Sequence, residues 1–197
     1  MMILAVILAP ALAGLMSFII RRNDIRRIML VTTAVVHSML SASMWFWTPA
    51  PILDGWLQLD ALGLLFLSMV SFLFVVASVY VVYYLSEEPS GIRPDFEESV
   101  FFVNVPEAIF VGCLLLFLST MTLVTMSHNF GLLWVAVEAT TLSSAPLIYF
   151  HRHRRSLEAT WKYLLICSIG IALALLGTFL LAFSISGKEG VAVPFVV

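Results

Sequence analysis

The chain has 197 residues, of which 61% are hydrophobic and 11% charged, with a formal net charge of −2. A soluble domain carries about 25% charged and 45–50% apolar residues, so this composition excludes an ordinary water-soluble fold. The basic residues fall in two short clusters beside apolar runs, which leaves no surface for nucleic acid.

Six apolar runs of spanning length follow one another along the chain, at 2–20, 28–47, 60–85, 106–126, 129–150 and 157–183. Runs of about 18 or more apolar residues read as transmembrane helices. The first run lacks a basic start, is long for a leader and has its charges after it in "RRNDIRR", so it reads as a first span rather than a signal peptide. His37 stands within the second span, where the sequence names no partner for it, as a possible accessory in proton transfer. The loop "TPAPILDG" follows, and Trp45, Trp47 and Trp56 around it suit the headgroup level of a bilayer. Asp60 opens the third span as an N-cap or interfacial carboxylate, with a transport role as the lesser alternative.

The third loop, "SEEPSGIRPDFEES", is acidic through Glu87, Glu88, Asp95, Glu97 and Glu98. The fourth span holds Cys113 and the sixth Cys167, both read as small packing residues. His128 precedes the fifth span beside Asn129 in a capping or interfacial position. His151 and His153 alternate with arginines in "HRHRR", a solvated basic loop rather than a metal site. Orientation follows from the charges. With the N-terminus outside, Arg21, Arg22, Arg26, Arg27, Arg93, Arg152, Arg154, Arg155 and Lys162 lie on the cytoplasmic side, and Lys188 alone on the other.

The fifth span carries a lone carboxylate, Glu138, in "LLWVAVEATTLSSAPLIYF". A helix starting near Asn129 sets it roughly 13–14 Å into a hydrocarbon layer of about 30 Å. An acidic residue at that depth costs roughly 2.5–3.5 kcal/mol on insertion scales, and such residues mark ion paths or proton relays by default. Gly131, Trp134, Glu138, Thr141 and Ala145 share one stripe, so the carboxylate is expected to face the bundle interior. Gly131 and Ala145 would admit close neighbours, and Thr141 adds a hydroxyl one turn on. Lys162, about one and a half turns into the sixth helix, is the in-chain cation that could modulate Glu138. Glu158, four residues before it, is its expected ion-pair partner. Gly170, Ala174 and Gly177 form a small-residue seam that calls for a tightly packed neighbour.

"LLWVAVEATTL" and "EATWKYLLICSIGIALALLGT", within residues 128–180, resemble the antiporter-like membrane subunits shared by complex I, Mrp-type sodium/proton antiporters and membrane-bound hydrogenases. The hydrogenase-4 and formate-hydrogenlyase branch looks closest, and "LDALGLLFLSMVSFLF" at 59–74 matches the family's third helix moderately. The resemblance implies that Glu138 falls on the family's proton-path glutamate and Lys162 on an accessory lysine. It also implies an all-α membrane protein, six transmembrane helices forming the N-terminal part of a subunit of about fourteen helices with inverted repeats.

The implied organisation is 1–105 for helices one to three and the acidic loop, 106–183 for the start of the proton-conducting repeat, and 184–197 as a tail. The family's main partner lysine lies beyond Val197, so a truncation, a split gene with a second chain, or a fragment is expected. The expected function is proton translocation coupled to redox chemistry in a hydrogenase-4-like or complex I-like assembly of the plasma membrane. An Mrp-type antiporter subunit and a non-conducting scaffold are the alternatives. Other membrane subunits and the lipid bilayer are the expected partners, and no cofactor or metal is expected, since no ligand set stands in the sequence.

Overall fold

The structure is a computed structural model that describes residues 1–47, 49–87, 92–94, 101–152 and 154–186. Glu88, Asp95, Glu97, Glu98, His153, Lys188 and the rest of the tail lie outside the described residues. Six helices stand on the six apolar runs: α1 (Met2–Ile19), α2 (Asn23–Ser43), α3 (Ala61–Glu87), α4 (Glu107–Met126), α5 (Phe130–Ile148) and α6 (Arg154–Ser186). The helix α6 begins at Arg154, three residues before its apolar run, because the basic turn continues the same backbone ladder.

Five of the six are long and apolar enough to cross a membrane. The exception is α2, whose first turns hold Asp24, Arg26 and Arg27 and whose body holds His37, Ser38 and Ser41. It packs against α1, α3 and α4, so its polar side chains find partners within the bundle. All-α describes the spans, but three short strands join loops that the sequence reads as irregular. These are β1 (Ile92–Pro94), β2 (Phe101–Asn104) and β3 (His151–Arg152), antiparallel in the order β1-β2-β3. They tie the third loop to the fifth at one end of the bundle, where Val105 N–H also donates to Phe150 O at 2.9 Å.

At that end Arg27 forms a fork on Glu107, with Nε to Oε1 at 2.7 Å and a terminal nitrogen to Oε2 at 3.1 Å. The same terminal nitrogen donates to Leu85 O at 2.8 Å, joining the ends of α2, α3 and α4. Both charged side chains are largely covered, 22% and 11% exposed, so the pair has less solvent screening than a surface ion pair. At the opposite end the 52–57 turn closes on itself through Ile52 and Leu57, and Leu57 also pairs with Ser127 after α4. Leu53, Asp54 and Gly55 take φ of 56°, 53° and 90°, a left-handed run in which only Gly55 carries no steric penalty.

The core divides between two clusters. Ile3, Val6, Leu64, Leu67 and Met126 fill the tryptophan-rich end, while Leu30, Phe74, Val111, Leu115 and Leu118 fill the arginine-rich end. Helices α1 and α4 meet backbone to backbone. A Cβ on Gly14 would sit 3.0 Å from Gly112 O, and one on Gly112 would sit 2.8 Å from the Phe18 ring. Small residues at such a contact let dispersion act between main chains, which replaces the hydrophobic drive absent inside lipid. Many hydroxyl groups inside the spans return their protons to their own helix, as Thr122 does to Leu118 O at 2.8 Å and Ser78 to Val75 O at 2.7 Å, while Ser119 on α4 donates across to Ile7 O on α1 at 2.8 Å.

Among the described residues, the Gly170, Ala174 and Gly177 seam does not have the close neighbour expected of it. All three are exposed, and a Cβ on either glycine would meet nothing within 4 Å. Spacing identifies a small-residue face but not which helix approaches it. These two kinds of glycine make opposite predictions. Gly14→Val should lower the unfolding free energy in mixed micelles by about 1–3 kcal/mol through overpacking, whereas Gly170→Ala should leave it unchanged or slightly raised.

Candidate functional site

Helix α5 starts cleanly because Asn129 Oδ1 accepts from Gly131 N–H at 2.9 Å and Leu132 N–H at 3.2 Å. Asn129 is thus the cap, and His128 precedes it with its backbone N–H on Trp56 O at 2.9 Å. Glu138 is the ninth of the helix's 19 residues, about 12 Å from its start. Its side chain is half-buried and turned toward α6, where Ser168 Oγ donates to Oε1 at 2.9 Å. The carboxylate therefore lies at the contact between α5 and α6. Two turns toward the arginine-rich end, Ser144 Oγ and Tyr163 Oη lie 2.9 Å apart, a second polar contact between the same helices.

The other members of the stripe divide. Thr141 and Ala145 are buried, but Gly131 is exposed, and a Cβ there would meet only Asn129 Oδ1 at 3.2 Å. Gly131 is not a close-packing residue. The Thr141 hydroxyl donates to Glu138 O at 2.7 Å and so serves the backbone rather than the carboxylate. Trp134, one turn before Glu138, lines an apolar cleft between α5 and α6, and its Nε1 is buried without a hydrogen-bond partner.

Lys162 does not meet Glu138. Its ammonium lies 2.5 Å from Glu158 Oε1, the i,i+4 partner anticipated for it, and both side chains are mostly exposed. Ser168 is six residues further along α6, which separates the lysine from the carboxylate's level by roughly 9 Å along the axis. A long aliphatic stem that carries its charge outward is the ordinary behaviour of lysine near the end of a span. Among the described residues no basic side chain is paired with Glu138. Ser168 is the residue that the sequence does not single out. Its one signal is a hydroxyl in the middle of the apolar stretch "LLICSIGIAL".

Asp60 behaves as a cap, its Oδ1 accepting from Gly63 N–H at 2.6 Å at the start of α3. Trp45, Trp47 and Trp56 are all exposed at the end opposite the arginines, and Trp45 Nε1 donates to Ser68 Oγ at 2.8 Å. Cys113 is buried, Cys167 half-buried, and both are free thiols.

His37, for which the sequence offers no partner, has two. Its Nε2 lies 2.9 Å from Thr122 Oγ1 on α4, and its Nδ1 lies 3.1 Å from Ser71 Oγ on α3. Ser71 is also 2.8 Å from Ser41 Oγ, which donates back to His37 O. The imidazole is 2% exposed, and the cage around it is made of hydroxyls without a charged group. A neutral ring donates through one nitrogen and accepts through the other, and because each hydroxyl has one proton, the one that donates to the ring gives up its bond to its own helix carbonyl. This site binds three helices together.

No family model matches the chain. It is 33% identical over 144 residues to a hydrogenase-4 component F homolog of Methylacidiphilum infernorum, covering 68% of this chain and 27% of that protein. It is 32% identical over 137 residues to NADH-quinone oxidoreductase subunit L of Mycobacterium tuberculosis, covering 68% of this chain and 19% of that protein. The chain belongs to the antiporter-like family of membrane subunits that these two proteins represent. It spans about a quarter and a fifth of their respective lengths.

Replacing His37 with Ala should destabilise the bundle by about 2–4 kcal/mol, because it leaves a cavity and two buried hydroxyl groups short of a partner. Lys162→Ala should leave the unfolding midpoint unchanged, since its ion pair lies in solvent or headgroups. Paired unfolding curves check both.

Proposed function

We propose that the chain takes part in proton translocation as a membrane subunit, or a portion of one, of a hydrogenase-4-like or complex I-like assembly. The supporting observation is Glu138, an acidic side chain held at mid-helix depth in a helix contact by the Ser168 hydroxyl. A carboxylate with a single neutral donor keeps lone pairs free to exchange a proton with water or a neighbouring ionisable group. Its cost in a bilayer gives a reason beyond packing for its presence. The kinship with complex-borne subunits supplies the setting, in which redox chemistry elsewhere drives the transfer.

In this reading Glu138 exchanges the proton and Ser168 orients its carboxylate. Lys162, with Glu158, acts from the arginine-rich end as an electrostatic modulator, at most, because its ammonium is turned outward. Asp60 and Thr141 hold backbone and His37 joins α2, α3 and α4, so the proposal gives the central proton-exchange role to none of these three. The positive-inside bias supports a cytoplasmic arginine-rich end and an outside N-terminus.

Glu138→Gln keeps the shape and removes the titratable proton. In the intact complex it should cut proton pumping about tenfold or more, with assembly and electron transfer retained when uncoupled. Ser168→Ala should give a smaller loss of pumping. Unchanged pumping in Glu138→Gln would contradict the proposal and leave a scaffold role.

A further inference from the structure

We propose that the Tyr163 hydroxyl relays protons to Glu138 from the arginine-rich end, along the hydroxyl-lined half of the α5–α6 contact. The inference rests on the reading of Glu138 as the exchanging group and adds the side chain that feeds it.

Glu138 divides this contact into unlike halves. Toward the tryptophan-rich end the two helices meet through Leu133, Trp134, Val137, Ile171 and Leu175, and the Thr178 hydroxyl among them is engaged with Leu175 O at 2.7 Å. Toward the arginine-rich end they meet through hydroxyls of α6. Ser168 Oγ donates to Glu138 Oε1 at 2.9 Å, and Tyr163 Oη lies 2.9 Å from Ser144 Oγ. Ser156 Oγ donates to Ile148 O at 3.0 Å, where the two helices join. A water molecule inside a protein needs about two to four polar partners. Those partners stand on the second half, so along this contact a proton reaches Glu138 from the arginine-rich end.

Counting protons singles out Tyr163. Ser144 has one, and it goes to Thr141 O at 2.8 Å, so the Tyr163 O–H is the donor in their pair. The Thr141 proton is likewise held on Glu138 O at 2.7 Å, and Ser168 has given its own to the carboxylate. Of these hydroxyls, Tyr163 is the one whose proton rests on a neutral side chain of the neighbouring helix. Tyrosine is also among the side chains that pass protons as general acids and bases.

Ser168 lies five residues beyond Tyr163, and Glu138 six before Ser144, which sets phenol and carboxylate roughly 7–9 Å apart along the axis. Two waters at the ordinary spacing of about 2.7–2.8 Å bridge that distance. In the step, Tyr163 Oη takes a proton from water on the arginine-rich side as its own proton passes to the first bridging water. The second water delivers a proton to the Glu138 carboxylate. The phenol ends unchanged, one proton has moved, and no electron has.

Exchange kinetics of the full chain in liposomes test the relay. When deuterium oxide replaces water, the infrared carboxyl band of Glu138 moves at a rate set by proton access. Tyr163→Phe keeps the ring and removes the hydroxyl, and it should slow that movement about fivefold or more. Ser144→Ala removes the same interhelical hydrogen bond but keeps the phenol, and it should exchange at the native rate. Thr178→Val, on the apolar half, should do the same. If the Tyr163–Ser144 bond only holds the helices together, the two variants that remove it alter exchange alike, and the proposal is overturned. Native-rate exchange in Tyr163→Phe overturns it as well, while leaving the role of Glu138 standing. A native band that never exchanges overturns the reading of Glu138 and the relay with it.

Discussion

Inside hydrocarbon no water completes an unmet hydrogen bond, so every polar group in the spans must find its partner within the protein. That constraint orders most of this structure. Hydroxyls on α3, α4 and α5 return to the carbonyls of their own turns, and His37 sits in a cage of hydroxyls from three helices. The charged fork of Arg27 on Glu107 is kept at the bundle's end, where water and headgroups remain close. Among the described residues, His128 Nδ1 before α5 and Trp134 Nε1 within it are buried without a partner, and the Glu138 carboxylate is met by the neutral Ser168 hydroxyl. The functional interpretation rests on Glu138.

The two halves of the bundle differ in the same way. Helices α1 to α4 bury a common core, with α1 and α4 in backbone contact at Gly14 and Gly112. Helix α6 contributes no buried position to its most apolar window and touches the rest chiefly through α5. A stable four-helix platform therefore presents a helix pair whose shared face holds the titratable group. The proposed proton exchange needs a carboxylate that is held but not saturated.

Six helices, their order and the place of Glu138 in the middle of α5 were legible in the sequence because hydropathy and the rise of a helix are local properties. The Glu158–Lys162 pair was legible for the same reason, being one helical turn long. Long-range partners were not. Ser71 and Thr122 stand 34 and 85 positions from His37, and no periodicity links them. The strand pairing between Val103 and Arg152 is made by backbone groups and leaves no side-chain pattern. The close glycine contact went to Gly14 and Gly112 rather than to the seam on α6, since spacing alone does not name the approaching helix. Lys162 drew attention by its charge, yet its stem carries that charge away from Glu138, while the uncharged Ser168 makes the contact.

The central claim is that the Glu138 carboxyl exchanges protons while embedded in the bilayer. Infrared difference spectroscopy of the chain in liposomes addresses it directly, with Glu138→Gln identifying the band. The account predicts a carboxyl band that appears and disappears with pH and shifts when deuterium oxide replaces water. A band that neither titrates nor exchanges would show an inert buried acid and contradict the account.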